Sequence, residues 1–300
     1  ENTVVLTVTD IYQNSSTCES VVTVKDNTAP TVVIKDFIVQ LDGNGEATVL
    51  PGSIDNGSFD ICGIGSLSLD KNQFSCSDVG DPVEVTLTVT DVNGNPATGK
   101  AFITVEDNVP PTVQTKNISV QLDSSGIAII EPDDVDDGSS DACGIASYAL
   151  DTDTITCSGL LNPVTVTLTV KDVNGNSAAN TAQVTVNDTI APIAVTKNAV
   201  VGLDNDGFVT VDPQVVDNGS WDNCDIETWI LDTALFSCSD IGNPITVLLT
   251  IADKMNNTDT ASAVITIVDN APPMVKTQDI EIALDSMGSA TITWDDIDNG

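Results

Sequence analysis

Apolar and polar residues alternate in short runs along the whole chain. Val83–Thr90 (VEVTLTVT) is the clearest case, with Val83, Val85, Leu87 and Val89 facing one side. A period of two is that of a strand buried on one face. Ile64–Leu69 (IGSLSL) alternates in the same way, and Thr98–Glu106 ends in Ile103 and Val105. Thr31–Leu41 reads as two short strand pieces, Glu46–Leu50 and Gln73–Cys76 as further strands. Pro51–Cys62 reads as a long polar loop with one helical turn. Turns fall between them: Asp42-Gly43-Asn44-Gly45, Ser77–Pro82 and Asp91–Asn95. No segment keeps a helical period through a window of about 11 residues. The pattern predicts an all-β fold of immunoglobulin-like sandwiches with turn signals every 8–12 residues.

The pattern itself recurs. The segment around Asp10 (VTDIYQN) returns at Asp91, Asp172 and Asp253, and that around Asp26 (VKDNTAP) at Asp107, Asp188 and Asp269. The 81-residue step never varies, so one structural unit is copied in tandem. Full repeats are expected at 29–109, 110–190 and 191–271. Residues 1–28 read as the end of an earlier repeat and 272–300 as the start of a later one, making the chain an excerpt of a longer polypeptide. A constant step between units suits an extended rod. Such a rod needs an odd number of strand crossings per repeat. Six are apparent, so either residues 51–58 add one or the first stretch, Thr31–Leu41, splits unusually. On that count the DVNGN hairpin lies at the pole where the chain arrives. DGNG, DNGSFD and SDVGDP then lie at the pole where it departs, beside Asp107.

Composition changes the picture. The chain has 45 acidic and 9 basic residues, with no His. All nine bases are Lys, and 37 of the acids are Asp. Nucleic-acid binding is disfavoured, since no basic patch exists to neutralise phosphate. No apolar run is long enough to span a membrane as a helix. Without His, neither a Ser-His nor a Cys-His pair can form, so an enzyme is not expected. Asp-rich turns suit local backbone capping or a hard cation; a merely solvated acidic surface is the alternative.

The densest motif is Asp55-Asn56-Gly57-Ser58-x-Asp60, returning at Asp136/Asp141 and Asp217/Asp222. Carboxylates five apart around a Gly turn can converge on one calcium ion; Asx-turn capping is the plainer reading. The Asp91–Asn95 loop offers alternating Asx oxygens, or is a plain β-turn. The expected calcium ligands are Asp55, Asp60 and Asp107 in the first repeat. Asp136, Asp141 and Asp188 follow in the second, and Asp217, Asp222 and Asp269 in the third, with Asp91 and Asp172 adding ligands. Each repeat also has two cysteines at one fixed spacing. Disulfides are expected as Cys62–Cys76, Cys143–Cys157 and Cys224–Cys238, which would place the chain outside the cytosol. Buried free thiols are the alternative. Cys18 stands alone, and its partner is expected upstream.

The stretch Phe74–Pro111 (FSCSDVGDPVEVTLTVTDVNGNPATGKAFITVEDNVPP) resembles the hyalin repeat, or HYR module. Shared are a Gly, a strand ending in Thr-Asp, a Gly-Asn hairpin, an aromatic-led strand, then Asp and Pro-Pro. The Asp-Asn-Gly-Ser-x-Asp-x-Cys-Gly-Ile form is similar to long surface adhesins of gliding Bacteroidota exported by type 9 secretion. The linker VxDNxxP is similar to the calcium linkers of cadherins. These resemblances imply a secreted, cell-surface adhesive or structural role, with neighbouring repeats as partners. Triplets such as Asp153-Thr154-Ile155 resemble the O-glycan acceptors used in those bacteria. A stalk or filament segment is the leading functional reading. Repeats that bind cell-surface glycans or proteins directly are the alternative, weakened by the few aromatics.

Overall fold

The computed structural model describes residues 2–300 and is nearly all β. The chain opens with a hairpin, β1 (Asn2–Thr9) and β2 (Ser15–Val22). Six strands follow: β3 (Phe37–Gln40), β4 (Glu46–Thr48), β5 (Ile64–Leu69), β6 (Gln73–Ser75), β7 (Val83–Asp91) and β8 (Pro96–Glu106). The same six recur as β9 (Ile118–Gln121), β10 (Ile127–Ile129), β11 (Ile145–Leu150), β12 (Thr154–Thr156), β13 (Val164–Asp172) and β14 (Ser177–Asn187). They recur again as β15 (Ala199–Gly202), β16 (Phe208–Thr210), β17 (Ile226–Leu231), β18 (Leu235–Ser237), β19 (Ile245–Asp253) and β20 (Thr258–Val268). The fold is a tandem series of immunoglobulin-like sandwiches.

In the first repeat a four-stranded sheet runs in the order β3-β8-β7-β5, and β4 pairs with β6 in a second sheet. β7 and β8 form the long antiparallel hairpin, from Val83↔Ile103 to Thr90↔Pro96. β3 lies parallel to β8, from Phe37↔Ile103 to Gln40↔Glu106. Upstream of β3 the chain sits on the other side, bridging Thr31 to Phe59 and Ile34 to Asp55. Pro51–Ile54 makes a single helical turn that drives Ile54 into the core. The sheet orders β11-β13-β14-β9 and β15-β20-β19-β17 repeat the first.

The crossings number five, not seven. Residues 31–41 go out, 46–59 come back, 64–76 go out, β7 comes back and β8 goes out. β5 pairs antiparallel with β7 in one sheet. β6 then pairs antiparallel with β4 in the other, Gln73 opposite Thr48 and Ser75 opposite Glu46. The two are therefore one traverse that changes sheets between Asp70 and Asn72. Reading them as two crossings misplaced the DNGSFD loop, which lies at the arrival pole with the DVNGN hairpin.

The described chain divides into two compact units. One runs to Ile118 and includes Ile130–Asp153 and Thr165–Gln183; the other comprises Ser119–Ile129, Thr154–Val164 and Val184–Gly300. In the first, Val49, Ile54, Phe74, Val85, Leu87, Val89 and Ile103 form a closed core. In the second, Val216, Phe236, Val247, Leu249, Ile251, Ile265 and Ile267 do so. Apart from Val49, Ile54 and Val216, these are the inward positions of the alternating strands. Outward positions of the same sandwich stay open: Ile38 on β3 is 59% exposed while Leu87 on β7 is 0%. Leu87→Ala should therefore cost about 2–5 kcal/mol. Ile38→Ala should stay within about 0.5 kcal/mol. Urea unfolding of the two variants checks the contrast, and equal losses would contradict this placement of the core.

Candidate metal centre

The first aspartate of each DxNGN-type hairpin folds its own loop. Asp91 Oδ1 accepts the Asn93 and Asn95 backbone N–H groups at 2.9 and 2.8 Å, and Oδ2 accepts Asn95 Nδ2 at 2.7 Å. Asp172 and Asp253 do the same. All three are buried. Burial raises the Asp91 carboxyl, but the donors from Asn95, Asn93 and Gly94 outweigh it and hold the group below its ordinary value.

That loop also grips the linker entering the repeat. Asn95 Nδ2 donates to Asp26 O at 3.2 Å, Asn176 Nδ2 to Asp107 O at 3.0 Å, and Asn257 Nδ2 to Asp188 O at 3.1 Å. Each linker aspartate caps the backbone N–H two residues on with Oδ1. In all three, Oδ2 is buried without a partner.

Asp60, Asp141 and Asp222 complete the arrangement. Each accepts the N–H of the cysteine two residues on, at 2.7, 2.8 and 2.7 Å. Three clusters result, with ligand atoms all within 4.8 Å of one another: Asp26, Asp60 and Cys62; Asp107, Asp141 and Cys143; Asp188, Asp222 and Asp253. The linker acid thus meets the loop of the repeat that follows it, so the expected grouping of Asp107 with Asp55 and Asp60 does not form. Asp60 lies at the arrival pole of its repeat and Asp107 at the departure pole.

Asp55, Asp136 and Asp217 stand apart from the clusters. Their Oδ1 atoms accept the N–H of Ser58, Ser139 and Ser220 at 3.1, 3.1 and 3.2 Å. Those serine hydroxyls in turn accept from Val33, Gln114 and Val195 N–H, clipping the first strand piece in place. Asp269 is exposed and caps Ala271 N–H. The Asx-capping reading describes Asp55, Asp136 and Asp217, whereas Asp269 is the counterpart of the linker acids Asp107 and Asp188.

The cysteine pairing differs from expectation. Bonds join Cys76 to Cys143 and Cys157 to Cys224, each 67 residues apart, with Cα–Cα distances of 5.1 and 5.4 Å. Cys62, Cys238 and Cys18 are free and exposed. Cys62 begins the 64–76 traverse and Cys76 ends it, so the two lie at opposite poles and outside disulfide reach. The bond goes instead to the loop of the next repeat. Closing a loop of this size restricts the unfolded chain by about 4 kcal/mol, against about 3 kcal/mol for the shorter loop of the expected pairing.

Gly45 makes room for the bond. It has φ +75°, and a Cβ there would stand 2.6 Å from Cys76 Sγ and 3.1 Å from Ala142 Cβ. Gly126 repeats this, its Cβ position 2.6 Å from both Cys157 Sγ and Asn223 O. The sequence marked these glycines only as turn residues. Free Cys62 lies beside Asp26, whose carboxylate, with burial and further acids, pushes the thiol above its ordinary value.

No protein-family model matches the chain. It is 28% identical over 317 residues to hyalin of Strongylocentrotus purpuratus, covering 93% of this chain and 25% of hyalin. The chain therefore spans about a quarter of that relative's length. Among solved structures it is similar to PcdhgB3 EC1-4, at 14% identity over 90% of this chain and 84% of that one, with a TM-score of 0.32. It is also similar to the titin I-band fragment I67-I69, at 15% identity over 80% and 99%, with a TM-score of 0.31.

Acid should loosen the fold in a definite window. Thr86 N–H holds the Asp70 carboxyl below 3.8, and Thr167 N–H does the same for Asp151. A lowered folded value means the charged form is favoured in the native state. The stability these groups add is complete above pH 3.8 and is lost as pH falls through their lower folded values. Urea midpoints followed from about pH 6 to about 2 should fall across that window, and Asp70→Asn should flatten the fall. An unchanged profile in Asp70→Asn would contradict the assignment.

Proposed function

We propose that the chain is a structural segment of an extracellular adhesive array, a stalk or filament whose task is reach and mechanical continuity. The observation that carries this is the pair of 67-residue bridges, each tying one repeat to the next. Tension applied to a plain tandem array passes through single peptide linkers. Here a covalent bond runs beside the linker at Asp107 and again beside that at Asp188. Stable disulfides favour an oxidising, extracellular setting. The acid excess keeps an elongated surface soluble and discourages lateral collapse. The similarity to hyalin supports a repeat array of this kind. The DNGSxDxC form supports display on a gliding bacterium.

Within this reading the immediate partners are neighbouring repeats, and calcium is the expected cofactor at the linkers. A second reading, direct binding of a glycan or protein, has one observation in its favour. Phe59 and Trp221 occupy the same position in two repeats and are 61% and 52% exposed. The second repeat has Ser140 there, so the platform is not common to all repeats.

Small-angle scattering of the full chain, oxidised and reduced, tests the stalk. Oxidised protein should give an elongated pair-distance distribution with a long tail. Reduction should leave strand content intact but broaden the distribution as the joints loosen. A compact distribution, or strong binding on a glycan array with no change on reduction, would favour the second reading.

A further inference from the structure

We propose that Asp188, Asp222 and Asp253 form a binding site for a calcium-class divalent cation. This names the site behind the calcium reading above, and it stands or falls independently of the stalk role.

Three acids from three separate segments converge here: the linker, the loop before Cys224 and the hairpin. Their ligand oxygens lie within 4.8 Å of one another. Oxygens around one calcium ion stand about 2.3–2.6 Å from it, so up to roughly 5.2 Å apart. The spacing fits that ion.

Asp188 is 3% exposed. Its Oδ1 accepts from Ile190 N at 3.0 Å and Asn223 Nδ2 at 3.2 Å. Its Oδ2 is buried with no partner, and so is Asp222 Oδ1. A buried carboxylate oxygen left bare is costly unless something positive faces it. Among the described residues no ion pair involves either acid; the pairs are Lys71–Asp78, Lys100–Glu84 and Lys254–Asp225. The linker Oδ2 is equally bare in Asp26 and Asp107, the latter 6% exposed, so the design recurs. Those two clusters carry a cysteine sulfur in third place, and Cys143 Sγ is committed to its disulfide. The third cluster is the complete carboxylate set.

Calcium titration of the full chain by calorimetry, with terbium luminescence excited through Trp221 as a second readout, tests the site. Three variants accompany it: Asp222→Asn, Asp188→Asn and the exposed-loop control Asp206→Asn. Asn keeps an oxygen for each backbone cap, so the first two should fold, which circular dichroism verifies. Wild type should bind calcium in the submillimolar to millimolar range of extracellular modules. Excess calcium should raise Tm by on the order of 10 °C. Asp222→Asn and Asp188→Asn should each bind one ion fewer, while Asp206→Asn matches wild type. Without calcium, Asp222→Asn should melt no lower than wild type, because it removes a repelling charge; a merely structural role would lower it. No binding at about 10 mM calcium, or undiminished stoichiometry in both cluster variants, would overturn the site.

Discussion

Five strand crossings per repeat set everything else. An odd count brings the chain in at one pole of a sandwich and out at the other. It also separates the two cysteines of a repeat, because residues 64–76 make a single traverse from β5 in one sheet to β6 in the other. Cys62 cannot reach Cys76, so each bond must look outward. The register of one short strand thus decides whether disulfides lock repeats internally or tie them to their neighbours.

The same geometry concentrates charge. At each junction the arriving linker brings one aspartate and the loop before the cysteine a second, and at the Asp188 junction the hairpin acid Asp253 is a third. The loop residue between acid and cysteine links the two functions. Asn223, flanked by Asp222 and Cys224, donates to Asp188 Oδ1 and to Asp123 O, and its own carbonyl lies 3.4 Å from Cys157 Sγ. Bridge and acid cluster are therefore parts of one three-residue element. Repulsion among carboxylates opposes closing that element and the disulfide enforces it. A cation would remove the opposition.

Much of the fold was legible in the sequence. The strict repeat period and the period-two runs at Val83–Thr90 and Ile64–Leu69 gave the sandwich and most of its strands. The hairpin acid Asp91 was legible because Asx turns are local. What failed was topology that no local signal carries. Nothing in IGSLSL or QFS says that they lie on one line and in different sheets. From that miss followed the wrong pole for DNGSFD, the wrong cysteine pairing and the wrong grouping of Asp55 and Asp60 with Asp107. Gly45 precedes Cys76 by the same interval as Gly126 precedes Cys157. Their second duty, as space for a sulfur, shows only in three dimensions.

Single-molecule force extension of the oxidised chain, before and after reductant, reads the bond pattern directly. A bridge across 67 residues hides the intervening chain from the pulling force. Each should withhold about 66 residues, roughly 220–240 Å of contour at 3.3–3.6 Å per residue, until reductant is added. Bridges closed within a repeat would withhold only about 13 residues, roughly 45 Å each. A gain on reduction near the larger figure for each of two bonds is the predicted result; a gain near the smaller figure, or none, would contradict covalent coupling of one repeat to the next.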